Sequence, residues 1–476
     1  MNDRELMFLP AHEQRQMILD GKISSVELTE ASLRRIDELD SQLNAFVTLD
    51  ADGAIAAATE CDRKHASGEK PGSLLGVPIG VKDLEVTNGL RTALGCTAFA
   101  DWVPDYDSAV VGRLRSADAV IMGKTNTPEF GNSAETFTDL FPSANNPWDV
   151  TRHPGGSSGG TSAAIASGMF SLGSGTDGGG SVRLPASFTG IFGHKPTHGR
   201  TPRLRRAIHA VLQLHQHDWA NVPRRAIVSH HAHGHFRTRS TRPGSLKSPV
   251  PDCIAGLEDG IKGLKVGFSM DLGYAYVNDD VARVTEEAVK GLEDAGATVV
   301  NADISFDPVP AEYWWKIWTA GQVAMYGHLA EDPDVNLTDY TMEMVNAGYG
   351  VTGADYASAL RQAEIHRIQV GQLFDEFDLL VTPTTAVEAW PHRKTPMELG
   401  GHKLEEGIAN PSALPFTALW NILWNPCASV PCGFSDSGMP LGLQIIGPVD
   451  DDPIVFRASR AYELARPWTS TRPKVS

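Results

Sequence analysis

The sequence predicts a layered α/β protein. Short apolar runs alternate with segments whose apolar residues recur at helical spacing, a pattern typical of helices packed on a sheet. Apolar residues make up 41% of the 476 residues, which is enough for a large buried core. The sequence shows no internal repeat, and α/β enzymes of this length also occur as one compact unit.

The first part of the chain begins with helices and then changes to strands. Residues 12–44 are predicted to form one helix, since Ser24 precedes apolar residues at helical spacing. Residues 51–64 are predicted to form a second helix. Residues 74–81 form an apolar run that Gly and Pro interrupt, which favours a strand ending at Lys82.

The later elements continue the alternation. Helices are predicted over 110–116, 163–167, 281–295 and most of 310–375. Buried strands are predicted over 119–124, 264–268, 298–300 and 378–383, with two more strands between 428 and 446. Strand and helix therefore alternate along most of the chain, as a layered α/β architecture requires.

Charge and cysteine usage narrow the class of protein. The formal net charge is −17, from 58 acidic and 41 basic residues, which argues against a nucleic-acid binder because Lys and Arg neutralise phosphates. Residues 1–13 lack the signal-peptide pattern, and no apolar run is long enough to predict a membrane span. The five cysteines have no CxxC spacing, which favours a reduced, cytoplasmic protein.

Two strings dense in Gly and Ser stand out. Residues 155–160 read GGSSGG and residues 176–187 read TDGGGSVRLPAS. The phosphate-binding string GxxxxGK[ST] does not occur, no GxGxxG string matches a dinucleotide fingerprint, and the GxSxG elbow fits the region around Ser157 poorly. These strings therefore do not predict a nucleotide site or an α/β-hydrolase elbow.

Their residue types favour acyl-transfer chemistry. Three glycines stand directly before the hydroxyl of Ser181: Gly178, Gly179 and Gly180. Backbone without β-carbons can point several N–H groups one way, which predicts an oxyanion hole beside a nucleophile. A serine nucleophile needs a base. Lys82 ends an apolar strand, where burial would keep its amine neutral, and Ser157 is a candidate to pass the proton between them.

Four strings together resemble the amidase-signature family: GVPIGVKD (76–83), TNTPEFG (125–131), GGSSGG (155–160) and TDGGGSVRLPAS (176–187). The resemblance also includes the N-terminal helix and the C-terminal stretch 425–447, so it covers most of the chain. It implies the amidase-signature fold, a central mixed, twisted β-sheet covered on both faces by α-helices.

The resemblance also implies a Ser–cis-Ser–Lys triad. Ser181 resembles the nucleophile, Ser157 the bridging serine on a cis peptide bond, and Lys82 the terminal base. The backbone N–H groups of 178–181 resemble the oxyanion hole. Gly178 departs from the family, which usually has a larger residue there, and this is expected to change the pocket wall and not the mechanism. No cofactor or metal is expected.

Neighbouring polar residues and the domain organisation complete this interpretation. Ser158 is expected to be structural, and Asp177 with Arg183 is expected to support the loop from inside. Residues 1–70 are predicted to form an N-terminal helical segment that packs on the core. Residues 71–476 are predicted to form a single amidase-signature α/β domain.

Residues 201–250 differ from the rest of the chain. They contain eight arginines and one lysine against one aspartate, and seven of the 16 histidines, including an HHxHxH run at His230–His235. Three interpretations are open: an out-of-frame reading, a divergent surface insertion, or a functional metal or nucleic-acid site. The first is favoured, because composition and family pattern change together at both edges.

The predicted reaction is hydrolysis of a C(=O)–N bond, or of an aryl ester or carbamate, in a small-molecule substrate. An aromatic cluster is expected either to line an acyl or aryl pocket or to belong to the core: Trp314, Trp315 and Trp318. Phe130 and Gly131 are expected to border the pocket. Small or aromatic amides, anilides and N-substituted carbamates are therefore favoured over peptides.

Three alternatives stay open on the sequence. A glutamine-hydrolysing component of a tRNA-dependent amidotransferase (its A subunit) shares the motifs, but it would need partner subunits and a cationic clamp for the glutamine carboxylate. A metal-dependent amidohydrolase would use the cluster His230–His235. The third alternative is a non-catalytic binding protein. The family suggests a homodimer, and neither nucleic acid nor membrane is expected as a partner.

Overall fold

The computed structural model describes residues 1–201, 246, 248–404, 414–468 and 470–476, together with the backbone of 217–222. The run His230–His235 and most of the 201–250 segment therefore lie outside the described residues. No helix in the described ranges is both long and apolar enough to cross a membrane.

Most of the strands belong to one large sheet. The described strands are β1 (Phe46–Leu49), β2 (Pro78–Lys82), β3 (Val120–Thr125), β4 (Leu172–Asp177), β5 (Phe192–Lys195), β6 (His217–Val222), β7 (Lys265–Phe268), β8 (Thr298–Asn301), β9 (Leu379–Pro383), β10 (Glu398–Leu399), β11 (His402–Lys403), β12 (Cys427–Phe434) and β13 (Pro440–Ile446). An 11-stranded sheet has the order β1-β3-β2-β4-β6-β5-β12-β13-β9-β7-β8, and β10 pairs with β11. Strands β3-β2-β4 and β9-β7-β8 are parallel groups, whereas the strands between them pair antiparallel. The predicted mixed sheet is thus confirmed.

Helices cover both faces of this sheet. They are α1 (Asp3–Met7), α2 (Ala11–Leu19), α3 (Ser25–Leu43), α4 (Ala51–Ala66), α5 (Ala109–Ser116), α6 (Gly159–Ala166), α7 (Arg183–Thr189), α8 (Asp279–Asp294), α9 (Pro310–Ala330), α10 (Asp339–Tyr349), α11 (Gly353–Glu376), α12 (Ala418–Ile422) and α13 (Asp452–Ala465). In β3, Val120 and Met122 pack in an apolar cluster with α3, α4 and α6, whereas Ile121 packs in another cluster with α5, α8 and α13. Successive side chains of a strand point to opposite faces, so both faces are buried.

The N-terminal region differs from the predicted single helix over 12–44. Gly21, at φ 67°, follows α2 in the left-handed region, and a new helix starts after Ser24. Ser24 accepts from the N–H of Glu27, whose carboxylate accepts from the Ser24 N–H, so a capping box restarts the helix. The short strand β1, which the pattern did not predict, pairs antiparallel with β3 and extends the sheet.

The order of the central strands positions the Gly/Ser loops. Strands β2 and β4 run parallel, with Ile79 opposite Leu172. The carboxyl ends of parallel neighbours lie at the same edge of a sheet, so Lys82 at the end of β2 comes close to the end of β4. The GGSSGG loop leads into α6, and the Gly178–Gly180 loop connects β4 to α7.

Candidate active site

Lys82 is fully buried at the end of β2. Three hydroxyl oxygens lie within hydrogen-bond distance of its Nζ: Ser157 Oγ at 2.6 Å, Thr176 Oγ1 at 2.8 Å and Ser158 Oγ at 3.1 Å. Hydroxyls can both donate and accept, so they can bond this nitrogen as an amine or as an ammonium. The structure thus brings together Lys82 and Ser157, as well as Thr176, which sequence reasoning missed.

A second buried lysine, Lys124, has different partners and does not contact the serines. Lys124 Nζ donates to Thr92 Oγ1 at 2.9 Å and to Thr87 Oγ1 at 3.1 Å, and it lies 3.7 Å from the carboxylate of Asp83. Burial lowers the pKa of Lys124 to about 8, although Asp83 opposes that shift. Lys124 therefore forms a structural pair with Asp83, while Lys82 reaches the serines.

Ser157 is buried in a loop that only small residues allow. The Gly156–Ser157 peptide bond is cis. A β-carbon on Gly156 would lie 2.4 Å from the carbonyl oxygen of Ser133, so a larger residue would displace the loop. A β-carbon on Gly131 would lie 3.1 Å from Ser157 Oγ, which places the 129–131 turn directly against this hydroxyl. In the described part of the chain, the Ser157 hydroxyl accepts from Lys82, and no acceptor is assigned to its proton.

Ser181 lies half-buried at the end of the glycine loop. Its carbonyl oxygen accepts from the N–H of Ser158 at 3.1 Å, so the backbones of the two serine loops are joined. Among the described residues, no hydrogen bond connects the Ser181 hydroxyl with that of Ser157. Catalytic hydrogen bonds are often long without substrate and tighten in the complex.

The glycine loop presents backbone donors beside Ser181. The N–H of Gly180 donates to Asp177 Oδ1 at 2.8 Å. This bond engages one of the predicted oxyanion donors, whereas within the described ranges no hydrogen bond is assigned to the N–H groups of Gly178, Gly179 and Ser181. Thr417 Oγ1 donates to the Gly179 carbonyl at 2.6 Å and holds the loop from the other side.

Asp177 and Arg183 form a buried pair under the same loop. Arg183 Nε donates to Asp177 Oδ2 at 2.9 Å and Nη2 donates to Oδ1 at 2.8 Å, while Asn421 Nδ2 donates to Oδ1 at 2.9 Å. Burial by itself would raise the pKa of the Asp177 carboxyl, but the Arg183 charge and these hydrogen bonds hold its pKa well below its usual value. The ionised carboxylate therefore orders the backbone of the loop, as expected for an internal support.

Aromatic residues line the loops on the side of α9. A β-carbon on Gly179 would lie 2.7 Å from Cζ2 of Trp314, so this indole packs directly against the glycine loop. Trp318 stacks on Trp314 with ring centroids 5.4 Å apart, whereas the ring of Trp315 is tilted by 43° relative to that of Trp314. At the other end of α9, Tyr326 stacks on Phe130 with centroids 3.8 Å apart. Sequence reasoning missed Tyr326, although its position eight residues after Trp318 places it on the same ridge.

A buried histidine supports the serine loop, and the described residues contain no candidate metal site. His153 is fully buried, and its Nδ1 accepts from the Gly155 N–H at 3.0 Å, so it supports the serine loop. Burial holds the pKa of His153 well below its usual value. Within the described ranges, no three His, Cys, Asp or Glu side chains converge as a metal site, and the predicted alternative at His230–His235 lies outside those ranges.

Comparisons with known proteins show the family to which the chain belongs. The chain matches the family model described as Amidase over residues 27–456. An acylamidase of Rhodococcus erythropolis is 32% identical over 489 residues, which cover 99% of this chain and 98% of that protein. The glutamyl-tRNA(Gln) amidotransferase A chain of Moorella thermoacetica is 33% identical over 499 residues, which cover 99% of each chain. The crystal structure of a bacterial aryl acylamidase superposes with a TM-score of 0.90 at 26% identity and covers 97% of each chain. The chain therefore belongs to the amidase family, as an amidase-signature hydrolase that acts on carbon–nitrogen bonds.

Proposed function

We propose that this chain hydrolyses small or aromatic amides, anilides or N-substituted carbamates through an acyl-enzyme on Ser181. The observation that carries the proposal is the buried 2.6 Å contact between Lys82 Nζ and Ser157 Oγ, beside a loop with available backbone donors. A neutral amine in this position is a base for the bridging hydroxyl, because burial disfavours its charged form.

The proposed chemistry moves one proton along three residues. Ser181 Oγ attacks the carbonyl carbon and passes its proton to Ser157, whose own proton goes to Lys82 Nζ. The tetrahedral oxyanion accepts hydrogen bonds from the backbone N–H groups of the glycine loop. When the C–N bond of an amide or the C–O bond of an aryl carbamate breaks, the leaving amine or phenol takes the proton back through the same relay. Water then attacks the acyl ester by the same route and releases the carboxylic acid and Ser181.

The aromatic side of the pocket supports a substrate that carries a ring. Trp314 packs on Gly179, and Trp318 stacks behind it, so a flat group entering beside the oxyanion loop would meet an indole face. The similarity to an acylamidase and to an aryl acylamidase structure supports the same substrate class.

The glutamine-hydrolysing alternative has support from the similarity to the amidotransferase chain. Free glutamine needs a cation for its α-carboxylate. Arg183, two residues after Ser181, already donates to Asp177, Gln444 and Asn421, so it is committed to the loop. The two functions differ in a direct assay, because the amidotransferase role requires partner subunits and the proposed one does not.

A substrate panel tests the proposal on the purified chain. Aliphatic amides, anilides, aryl carbamates, aryl esters and glutamine are compared on wild type, Ser181→Ala and the control Ser116→Ala, whose hydroxyl is exposed at the end of α5. We expect turnover of anilides or aryl carbamates that is insensitive to chelators and lost in Ser181→Ala only. Activity confined to glutamine, or full activity in Ser181→Ala, would contradict the proposal.

Three further predictions from the sequence belong with this function. We propose that the chain acts as a homodimer in the cytoplasm and that residues 71–476 form one α/β domain, on which residues 1–70 pack and to whose sheet they add β1. Sedimentation of the purified chain measures the oligomeric state, and a truncated chain that starts at residue 71 measures the domain boundary.

A further inference from the structure

Glu129 is a buried carboxylate in the turn that follows β3. Its side chain is 1% exposed, and Oε2 accepts from the Thr338 N–H at 2.9 Å and from Thr338 Oγ1 at 2.7 Å. Thr338 is the N-cap of α10, so the carboxylate lies at the positive end of that helix. Among the described residues, no Lys, Arg or His lies within ion-pair distance of Glu129, so the helix terminus is the positive group that the structure provides.

A side chain of α10 also bonds to the backbone of Glu129. The N–H of Glu129 donates to the hydroxyl of Tyr340 at 2.7 Å, and that hydroxyl donates to the Phe137 carbonyl at 3.0 Å. Tyr340 lies in the first turn of α10 and is 1% exposed. The Glu129 side chain therefore accepts from the backbone at the start of α10, and the Glu129 backbone donates to a side chain of α10.

The residues after Glu129 reach the catalytic loop. Phe130 stacks on Tyr326 of α9, and Gly131 lies against the hydroxyl of Ser157. Asn132 Nδ2 donates to Gln322 Oε1 on α9 at 2.8 Å, and both side chains are buried. Glu129, Phe130 and Asn132 therefore contact the α9–α10 helix pair, while Gly131 between them lies against the bridging serine.

We infer that Glu129 is a positioning residue, which fixes the α9–α10 helix pair and its aromatic side chains relative to Ser157 and the glycine loop. This inference rests on the proposed function, because it concerns how the substrate ring is held beside Ser181. Glu129 acts through Thr338 and Tyr340 and takes no part in the proton relay. Its loss should therefore weaken binding of a ring-bearing substrate more than it slows the chemical step.

Steady-state kinetics with two substrates tests this role. Glu129→Ala, Glu129→Gln, Tyr340→Phe and the control Glu331→Gln are assayed with a nitroanilide and with a short aliphatic amide. Glu331 is an exposed residue directly after α9, and its carboxylate accepts from the Tyr349 hydroxyl of α10. We expect Glu129→Ala to raise the KM for the nitroanilide about 10- to 100-fold, as expected for the loss of two buried hydrogen bonds. The kcat for the nitroanilide, and both kcat and KM for the aliphatic amide, should change less than about threefold.

The conservative variants separate positioning from folding. Glu129→Gln keeps an oxygen that accepts from Thr338, so its KM for the nitroanilide should lie close to the wild-type value. Tyr340→Phe should raise that KM, as Glu129→Ala does. Glu331→Gln should leave it unchanged. An equal fall of kcat on both substrates, no change in Glu129→Ala, or the same KM in the Gln and Ala variants would overturn the inference.

A measurement that needs no turnover separates this inference from the proposed function. Hydrogen exchange of the 338–341 amides should accelerate in Glu129→Ala and stay close to wild type in Glu129→Gln and Glu331→Gln. Unchanged exchange in Glu129→Ala would overturn the positioning role even in an active enzyme. An inactive wild type that a fluorophosphonate does not label would instead overturn the proposed function.

Discussion

Thr176 Oγ1 accepts a hydrogen bond from Lys82 Nζ at 2.8 Å, one residue before the aspartate that orders the glycine loop. Ser158 Oγ lies on the same nitrogen at 3.1 Å, and the Thr176 N–H donates to that oxygen at 3.3 Å. The lysine nitrogen is thereby held on three sides, so that its direction toward Ser157 is set by strand β4 as well as by the serine loop.

Replacement of Thr176 tests this support. Thr176→Val keeps a branched side chain but removes the hydroxyl, so Nζ loses a buried partner and its position beside Ser157. We expect kcat to fall about tenfold or more, as for the loss of a buried hydrogen bond in a catalytic group, while Thr176→Ser stays close to wild type. Steady-state kinetics on an anilide measures both, and equal activities of the Val and Ser variants would refute the role of the hydroxyl.

Lys82 should set the acid side of the pH–activity profile. Only a neutral amine can take the proton from Ser157, so kcat/KM should decline as the pH falls and the lysine becomes charged. Lys82→Ala should lose about 1,000-fold or more, and Lys82→Arg should lose as much because a guanidinium keeps its proton. The measurement is kcat/KM against pH for an anilide. Retention of activity by the Arg variant would show that the residue acts through its charge alone.

Gly179 should tolerate no side chain while Trp314 is present. The added β-carbon would lie 2.7 Å from Cζ2 of the indole, a distance that real contacts do not reach, so the loop or the ring must move. We expect Gly179→Ala to lower kcat/KM about 10- to 100-fold, since small displacements of a catalytic loop have effects of that size. The double variant Gly179→Ala/Trp314→Phe should recover part of the loss. A single variant with wild-type kinetics would place the indole elsewhere in solution.

The Asp177–Arg183 pair should stabilise the fold in a pH-dependent way. The pKa of the Asp177 carboxyl is held below the ordinary value of 3.8, so the pair contributes fully above that value, and its contribution is lost as the pH falls toward the lower folded-state pKa. Denaturant unfolding of wild type and Asp177→Asn should therefore show a difference in free energy of unfolding that is constant near neutral pH and shrinks below about pH 4.

Removal of the Arg183 guanidinium should lower the free energy of unfolding more than removal of the Asp177 charge. Arg183→Leu leaves a buried carboxylate without its partner, and we expect a loss of about 3–5 kcal/mol in the free energy of unfolding near neutral pH. Combining it with Asp177→Asn should relieve part of that loss, because the charge that needs the partner is then absent. A double variant no more stable than Arg183→Leu would contradict the pairing.

The sequence by itself determined the α/β class, most strands and helices, and the family, because these follow from local periodicity and from strings of adjacent residues. The strand that ends at Lys82 was predicted at its observed position, and the Gly/Ser strings are visible in the sequence itself. The single helix over 12–44 was wrong, since a left-handed glycine and a capping box, both local features, outweighed a continuous apolar pattern. Strand β1 was missed because four residues carry too little periodicity.

The tertiary structure alone decided which distant groups meet. Thr176 reaches Lys82 because β4 lies parallel beside β2, and strand order is set by packing of the whole sheet and not by any local pattern. The commitment of the Gly180 N–H to Asp177 depends on how the loop folds over Arg183. The contact between Glu129 and α10 joins residues 209 positions apart. Such contacts form only when long loops close and buried polar groups must find partners, which no short stretch of sequence specifies.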